Sequence, residues 1–327
     1  MAAPAQVARR LAEELLAPAA AGVDATGVLP RGHLDALADA GLFGLVGPAG
    51  AGGLGADGAT LAAVAEELAA GDLATAFVWL QHHGVVGRLA AAGTHPDLLA
   101  DLCRGRRRAG IALQAATRPD AAPVTVRRDG GDLVLDGAVP WVTGWGLVDV
   151  VLVAARDGED VAYVLTDAVG GPTVEAVPQP LVAVQASATV ELRLTGHRVP
   201  ADRLLGTTPL AQVRAADAGG LRLNGSLALG LVRRCARLVA PSPLDAALDA
   251  VRARLDAAGP AELPAARAEA AALAHRAAAA LVVASGSGAA RAGSVAERTA
   301  REAVFLLVFG SRPAIRQALL ERFGAAG

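Results

Sequence analysis

The stretch VTVRRDGGDLVLDGAV, residues 124–139, decides the fold, because apolar and polar residues alternate on both sides of Asp129-Gly130-Gly131. Period-two patterning around an Asp-Gly pair predicts two strands joined by a tight hairpin. The same period continues in VDVVLVAAR (148–156) and VAYVLTD (161–167), with an Asp-Gly turn at 157–158, then in TVEAV (173–177) and ATVELRLTGHRV (188–199). Strands this close together, with no helix between them, predict an antiparallel β-barrel or sandwich and argue against a βαβ layout.

On either side of this block the period is helical. Upstream, 5–17 is expected to end ahead of Pro18, 31–42 follows Pro30, and 59–72, 73–93 and 95–105 are expected as further helices. Downstream, the helical pattern returns over 218–239, 243–259, 262–288 and 294–311, with a short last helix in RPAIRQALLERFG. The expected fold class is α+β: an N-terminal all-α domain (1–110), a central β domain (111–206) and a C-terminal helical bundle (207–327).

Composition closes off several classes of function. The 327 residues are 53% hydrophobic and 19% charged, with a mean hydropathy of +0.41, yet no apolar run approaches the roughly 20 residues of a spanning helix. No membrane association is expected, and the N-terminus MAAPAQVARRLAEELLAP reads as an amphipathic helix of a cytoplasmic protein, with acids where a signal peptide needs apolar residues. A formal charge of −2 leaves no footprint for nucleic acid; RGRRR at 104–108 reads first as a solvated helix end, with an anion site as the alternative. Cys103 and Cys235 lie far apart and the histidines show no ligand spacing, so neither a disulfide framework nor a metal site is expected. The glycine-rich GPAGAGGLGADG (47–58) has no strand before it, which makes a dinucleotide or phosphate loop a poor reading.

A helical block, a β block and a second helical block, in that order, resemble the acyl-CoA dehydrogenase family. The resemblance is carried by LADAGLFGLVGPAGAGGLGAD (37–57), EELAAGDLATAF (66–77), AAAGTHPDLLADLCRGRRRAGIAL (90–113) and VQASATVELRLTGHRVPADRLLG (184–206), whose order and spacing match the family together. It implies a flavoprotein that binds FAD, a small-molecule substrate of the acyl-thioester class, α,β-dehydrogenation, and a homo- or hetero-oligomer. It also implies roles: Trp141, Val142 and Thr143 beside the flavin, joined by Leu113 and Gln114 and by Gly310 and Ser311. Two residues apart on a strand, Trp141 and Thr143 are expected to share one face, which suits a flat ligand with a polar edge. His82 and His83 fall on the helix that often lines the acyl pocket in the family; the alternative is one solvent-facing and one packed core histidine.

The chain also departs from that family. The flavin segment, usually A-[LM]-T-E-P-x-x-G-S-D, reads ALQAATRPD (112–120), keeping Leu113 and placing Gln114 where a threonine is usual. Dehydrogenation needs a carboxylate to take the α-proton, and both of the family's positions for it are apolar here, Phe309 and Leu221. Asp217 is the acid nearest Leu221 and the remaining candidate. Arg222 and Arg316 read as solvated helix faces before phosphate contacts. An R-x-x-FG-x5-Q segment is missing between 222 and 300, so the bundle is expected to be short by about a helix. Three functions follow: the dehydrogenase, a flavin monooxygenase on the same fold that needs no α-carbon base, and a non-catalytic subunit of a heteromeric dehydrogenase.

Overall fold

The computed structural model describes residues 3–117 and 122–325. Helices α1 (Pro4–Leu11) and α2 (Ala17–Thr26) form one continuous rod through a π-helical turn, Ala12–Leu16. Pro18 therefore does not end the helix, contrary to the sequence expectation. The turn just ahead of it is widened, with the Ala17 N–H reaching back to the Ala12 carbonyl, and this absorbs the proline's missing donor and its ring. Helices α3 (Arg31–Asp39), α4 (Gly58–Gly71), α5 (Leu73–Ala92) and α6 (Pro96–Cys103) complete the first block. Asp57 and Asp72 start α4 and α5 by accepting the Thr60 and Thr75 N–H groups, both at 2.8 Å.

Strand β1 (Ala109–Ala112) and the short α7 (Gln114–Thr117) lead into β2 (Thr125–Asp129), β3 (Asp132–Val142), β4 (Val150–Asp157), β5 (Asp160–Asp167), β6 (Val174–Pro178), β7 (Val190–Pro200) and β8 (Leu204–Pro209). The main path through the sheet is β6-β7-β3-β2-β4-β5-β8, with β1 paired to β4. The β2–β3 hairpin turns at Gly130-Gly131 as its sequence predicts. The sheet is mixed and not purely antiparallel: β1 and β2 both run parallel to β4. Strand β4 shows why its sequence is an unbroken apolar run. Val151, Val153 and Ala155 face the interior of the β block, while Val150, Leu152 and Ala154 pack with Val85, Leu89, Leu98 and Leu102 of α5 and α6.

The C-terminal block comprises α8 (Leu210–Ala215), α9 (Leu221–Leu238), α10 (Leu244–Ala257), α11 (Leu263–Ser285), α12 (Val295–Val308) and α13 (Pro313–Arg322). One apolar core runs through both helical blocks, joining Leu16, Leu34, Leu68 and Trp79 to Leu227, Leu231, Leu273 and Leu306. Helix α9 crosses α4 so closely that a Cβ on Gly230 would lie 2.5 Å from the Glu66 carbonyl oxygen, so only glycine fits there. The stretch Leu263–Ala290 does reach the length and hydropathy, 1.2, of a membrane span; 44% of that window is buried within the bundle.

A buried ionic cluster ties the blocks together. Arg234 of α9 donates to the Ala69 and Ala70 carbonyls at the end of α4, each at 2.9 Å, and pairs with Glu302 of α12. Arg298 lies 3.6 Å from the same carboxylate, and all three side chains are almost fully buried. Burial pushes the Glu302 carboxyl above the ordinary range, against the pull of Arg234 and Arg298.

Candidate functional site

The end of β3 is built by a proline. Pro140 has no N–H to give to β7, and between Val139 and Val142 the register advances three residues on β3 for two on β7. Trp141 is the extra residue, with φ +65°, a conformation that costs an L residue about 1–2 kcal/mol. Its N–H turns out of the ladder and donates to Oε1 of Gln179 at 2.9 Å. The consequence corrects the expectation of a shared face: Trp141 is 47% exposed, whereas Thr143 is buried at 2%. Val142 is buried in the core of the β block. The Thr143 hydroxyl lies 3.3 Å from that of Thr189, which is 2.8 Å from Ser187 Oγ, so three hydroxyls form a buried chain.

Strand β1 runs directly beneath. A Cβ on Gly110 would lie 3.1 Å from the Thr143 carbonyl oxygen, so β1 passes the end of β3 at Gly110, and Leu113 and Gln114 follow at the exit of β1. Leu113 packs half-buried against the cluster that β4 shares with α5 and α6, and Gln114, also half-buried, opens α7.

The remaining expected contacts come from the C-terminal end of α12. The Phe309 ring lies with Phe77 of α5 and Phe305 in a three-ring cluster, at centroid separations of 4.9 and 5.5 Å. Gly310 has φ +62° beside Asn224, and the Ser311 hydroxyl oxygen is buried with no partner among the described residues. Helix α5 joins the two halves of the site. Phe77 touches Phe309, while a Val78 methyl lies 3.4 Å from where a Cβ on Gly144 would be. Sequence reasoning missed what holds this turn in place. Arg267 of α11, fully buried, donates to the carbonyls of Leu306 (2.9 Å) and Phe309 (3.3 Å), capping α12 where its dipole is negative. Desolvation pushes this guanidinium down to about 10, and its Nε and Nη1 meet no partner among the described residues.

The candidate bases fare badly. Leu221 is buried with Ile315, Leu319 and Leu263, and Asp217 gives both carboxylate oxygens to Arg312. Arg316 faces solvent as expected, whereas Arg222 is not on a solvated face but is held by Asp256, Ser226 and the buried Glu66. In RGRRR, Arg106, Arg107 and Arg108 pair with Asp101, Asp167 and Asp35, which leaves little for an anion. A cleft of about 840 Å³ lies elsewhere, against Thr94, His95, Arg107 and Arg203.

The structure does not bring His82 and His83 to the site, and neither faces solvent. Both point into the core: His82 meets the Phe43 ring edge-on at 4.8 Å and accepts the Ala109 N–H at 3.1 Å, and His83 packs on Trp79. Burial pushes His82 down to about 3 and His83 well below the ordinary histidine range. An unfolded histidine takes up a proton near pH 6.5, so this stabilisation is present above 6.5 and is lost as the pH falls toward the folded value, about 1.4 kcal/mol per unit for each residue. His83→Phe, which removes two unpartnered ring nitrogens, is expected to gain about 2 kcal/mol over the parent at pH 5 relative to pH 8. Urea midpoints at the two pH values check this. Parallel pH dependence in the two proteins would show that folded His83 is protonated.

Residues 3–97 match the family model of the acyl-CoA dehydrogenase N-terminal domain. The chain is 32% identical over 210 residues to cyclohexane-1-carbonyl-CoA dehydrogenase of Geobacter metallireducens, covering 61% of this chain and 55% of that one. It is 30% identical over 159 residues to 3-sulfinopropanoyl-CoA desulfinase of Variovorax paradoxus, covering 47% and 40%. The matched region thus spans about half the length of these relatives. Butyryl-CoA dehydrogenase of Megasphaera elsdenii shares the fold with a TM-score of 0.81 at 19% identity, over 98% of this chain and 96% of that one. The first block thus matches the acyl-CoA dehydrogenase N-terminal domain, the chain is similar beyond that block to enzymes acting on CoA esters, and it shares the fold of butyryl-CoA dehydrogenase throughout.

Proposed function

We propose that the protein binds FAD at the adjoining ends of β1 and β3 and acts as an oxidoreductase on an acyl thioester. The observation that carries this is Trp141, a large aromatic side chain held half exposed by an inverted backbone, which is the kind of strained residue that functional sites retain. Donors that suit a flavin are the Gln114 amide and the Ser311 hydroxyl, which is buried with no partner among the described residues. FAD, when bound, supplies the two-electron chemistry. Phe77, Phe305 and Phe309 exclude water from the reacting end. The thioester class rests on the relatives, both of whose names carry a CoA ester. An oligomer belongs to the same proposal, and Val304 and Val308, 45% and 66% exposed one turn apart on α12, give the bundle an apolar outer stripe.

One observation favours a second reading at the same site. Neither Phe309 nor Leu221 can accept a proton, and Asp217 is committed to Arg312. Oxygenation with reduced FAD delivered by a separate reductase needs no α-carbon base. The visible spectrum of the protein with added FAD, followed by anaerobic acyl-CoA esters, separates the readings. A bound flavin is expected. Bleaching by an ester supports dehydrogenation, and oxygen-dependent consumption of reduced FAD without bleaching supports oxygenation. A folded protein that binds no FAD at saturation would overturn both and leave a partner-subunit role.

A further inference from the structure

We propose that Gln179 is a positioning residue for the flavin site, acting through the backbone of Trp141; the inference rests on the FAD reading above. Residues other than glycine with positive φ are few among the described residues: His95, Trp141, Val184 and Ala188. Three of these four meet at one place. The segment 179–189 grips the loop 141–145 along its length. Gln179 Oε1 accepts the Trp141 N–H at 2.9 Å, the Ser187 carbonyl accepts the Gly144 N–H at 2.8 Å, and the Ala188 carbonyl accepts the Trp145 N–H at 3.1 Å. The segment is itself braced, with the Gln179 N–H on the Thr189 carbonyl at 3.0 Å and the Leu181 N–H on Gln185 Oε1 at 2.6 Å. Of the three bonds that reach the loop's backbone N–H groups, only the first comes from a side chain, and it falls on the residue whose backbone is inverted. An inverted L residue persists only where its surroundings over-determine it. Without the Gln179 acceptor, the Trp141 amide has no reason to face away from β7, and the indole is free to turn with it.

The test compares Gln179→Leu, which removes the acceptor, with Gln179→Glu, which keeps an oxygen at the same reach. Acrylamide quenching of tryptophan fluorescence in the FAD-free protein reports the indole by difference from the Trp141→Phe variant, because Trp79 is fully buried, Trp141 is half exposed and Trp145, in the same loop, is only partly buried. Trp141→Phe measures the Trp141 share of the signal. Affinity for FAD, read from flavin fluorescence, reports the site. Gln179→Leu is expected to change the quenching of Trp141 and to weaken FAD roughly tenfold, as the binding-competent conformer becomes a minor one, with an unchanged thermal midpoint. Gln179→Glu is expected to behave as the parent in both. Parental quenching in Gln179→Leu would overturn the proposal, as would equal losses in the two variants. If quenching changes as expected but no variant, nor the parent, binds FAD, the positioning of Trp141 stands and the flavin reading falls.

Discussion

Phe309→Glu is expected to speed the anaerobic reduction of bound FAD by an acyl-CoA ester by roughly 10²–10⁴-fold, the usual worth of a positioned general base. Phe309 closes α12 with φ −61° and ψ 130°, a backbone any L residue adopts, so the substitution adds no strain. A half-buried carboxylate is normally costly. Here Arg267 is already bound to the Phe309 carbonyl with two nitrogens unpartnered, and offers the counter-charge. The stability lost is the burial of one ring plus about 0.5–1.5 kcal/mol for each aromatic pair it makes in the Phe77–Phe305–Phe309 cluster. Phe309→Gln is the control, since it matches Glu in size and polarity but takes no proton. Rapid-mixing measurement of flavin bleaching compares them. A Glu variant no faster than the Gln variant would show that proton removal is not the missing step, and would move the weight to oxygenation.

Period and turn chemistry made the order of elements legible. The Asp129-Gly130-Gly131 hairpin and the apolar stripes of α5 and α9 fall where their patterns predict. What failed are the places where a local rule met a neighbour. Pro18 ends a helix in isolation, yet here a π turn carries the rod past it. Alternation put Trp141 and Thr143 on one face, and Pro140 with its bulge separated them. The proposed site draws on both kinds of residue. Trp141, Gln114 and Ser311 are named from the resemblance, but Gln179 and Arg267 bond to backbone amides and carbonyls of distant segments, and no residue type or spacing announces such contacts. Two adjacent histidines looked chemical, and the fold used them as core.

Glu302→Ala is expected to destabilise the protein by about 3–5 kcal/mol, because it leaves two buried guanidiniums without the carboxylate they share. Arg234 and Arg298 are each 5% exposed, so neither can be rehydrated without opening the contact between α4, α9 and α12. The pair in place is worth far less than its removal costs, since desolvation of three charges consumes most of the Coulomb attraction. That asymmetry gives the test its second arm. Glu302→Leu combined with Arg234→Met and Arg298→Met removes all three charges and is expected to recover most of the loss. Recovery stays incomplete because the Ala69 and Ala70 carbonyls lose the Arg234 bonds, at about 0.5–1.5 kcal/mol each. Urea unfolding of the single and triple variants measures both quantities. A single variant costing under about 1 kcal/mol would mean that water already reaches the cluster, as only hydrated pairs are worth so little. The small polar cavity against Asp24, Asp72 and Glu302 is where such water would enter.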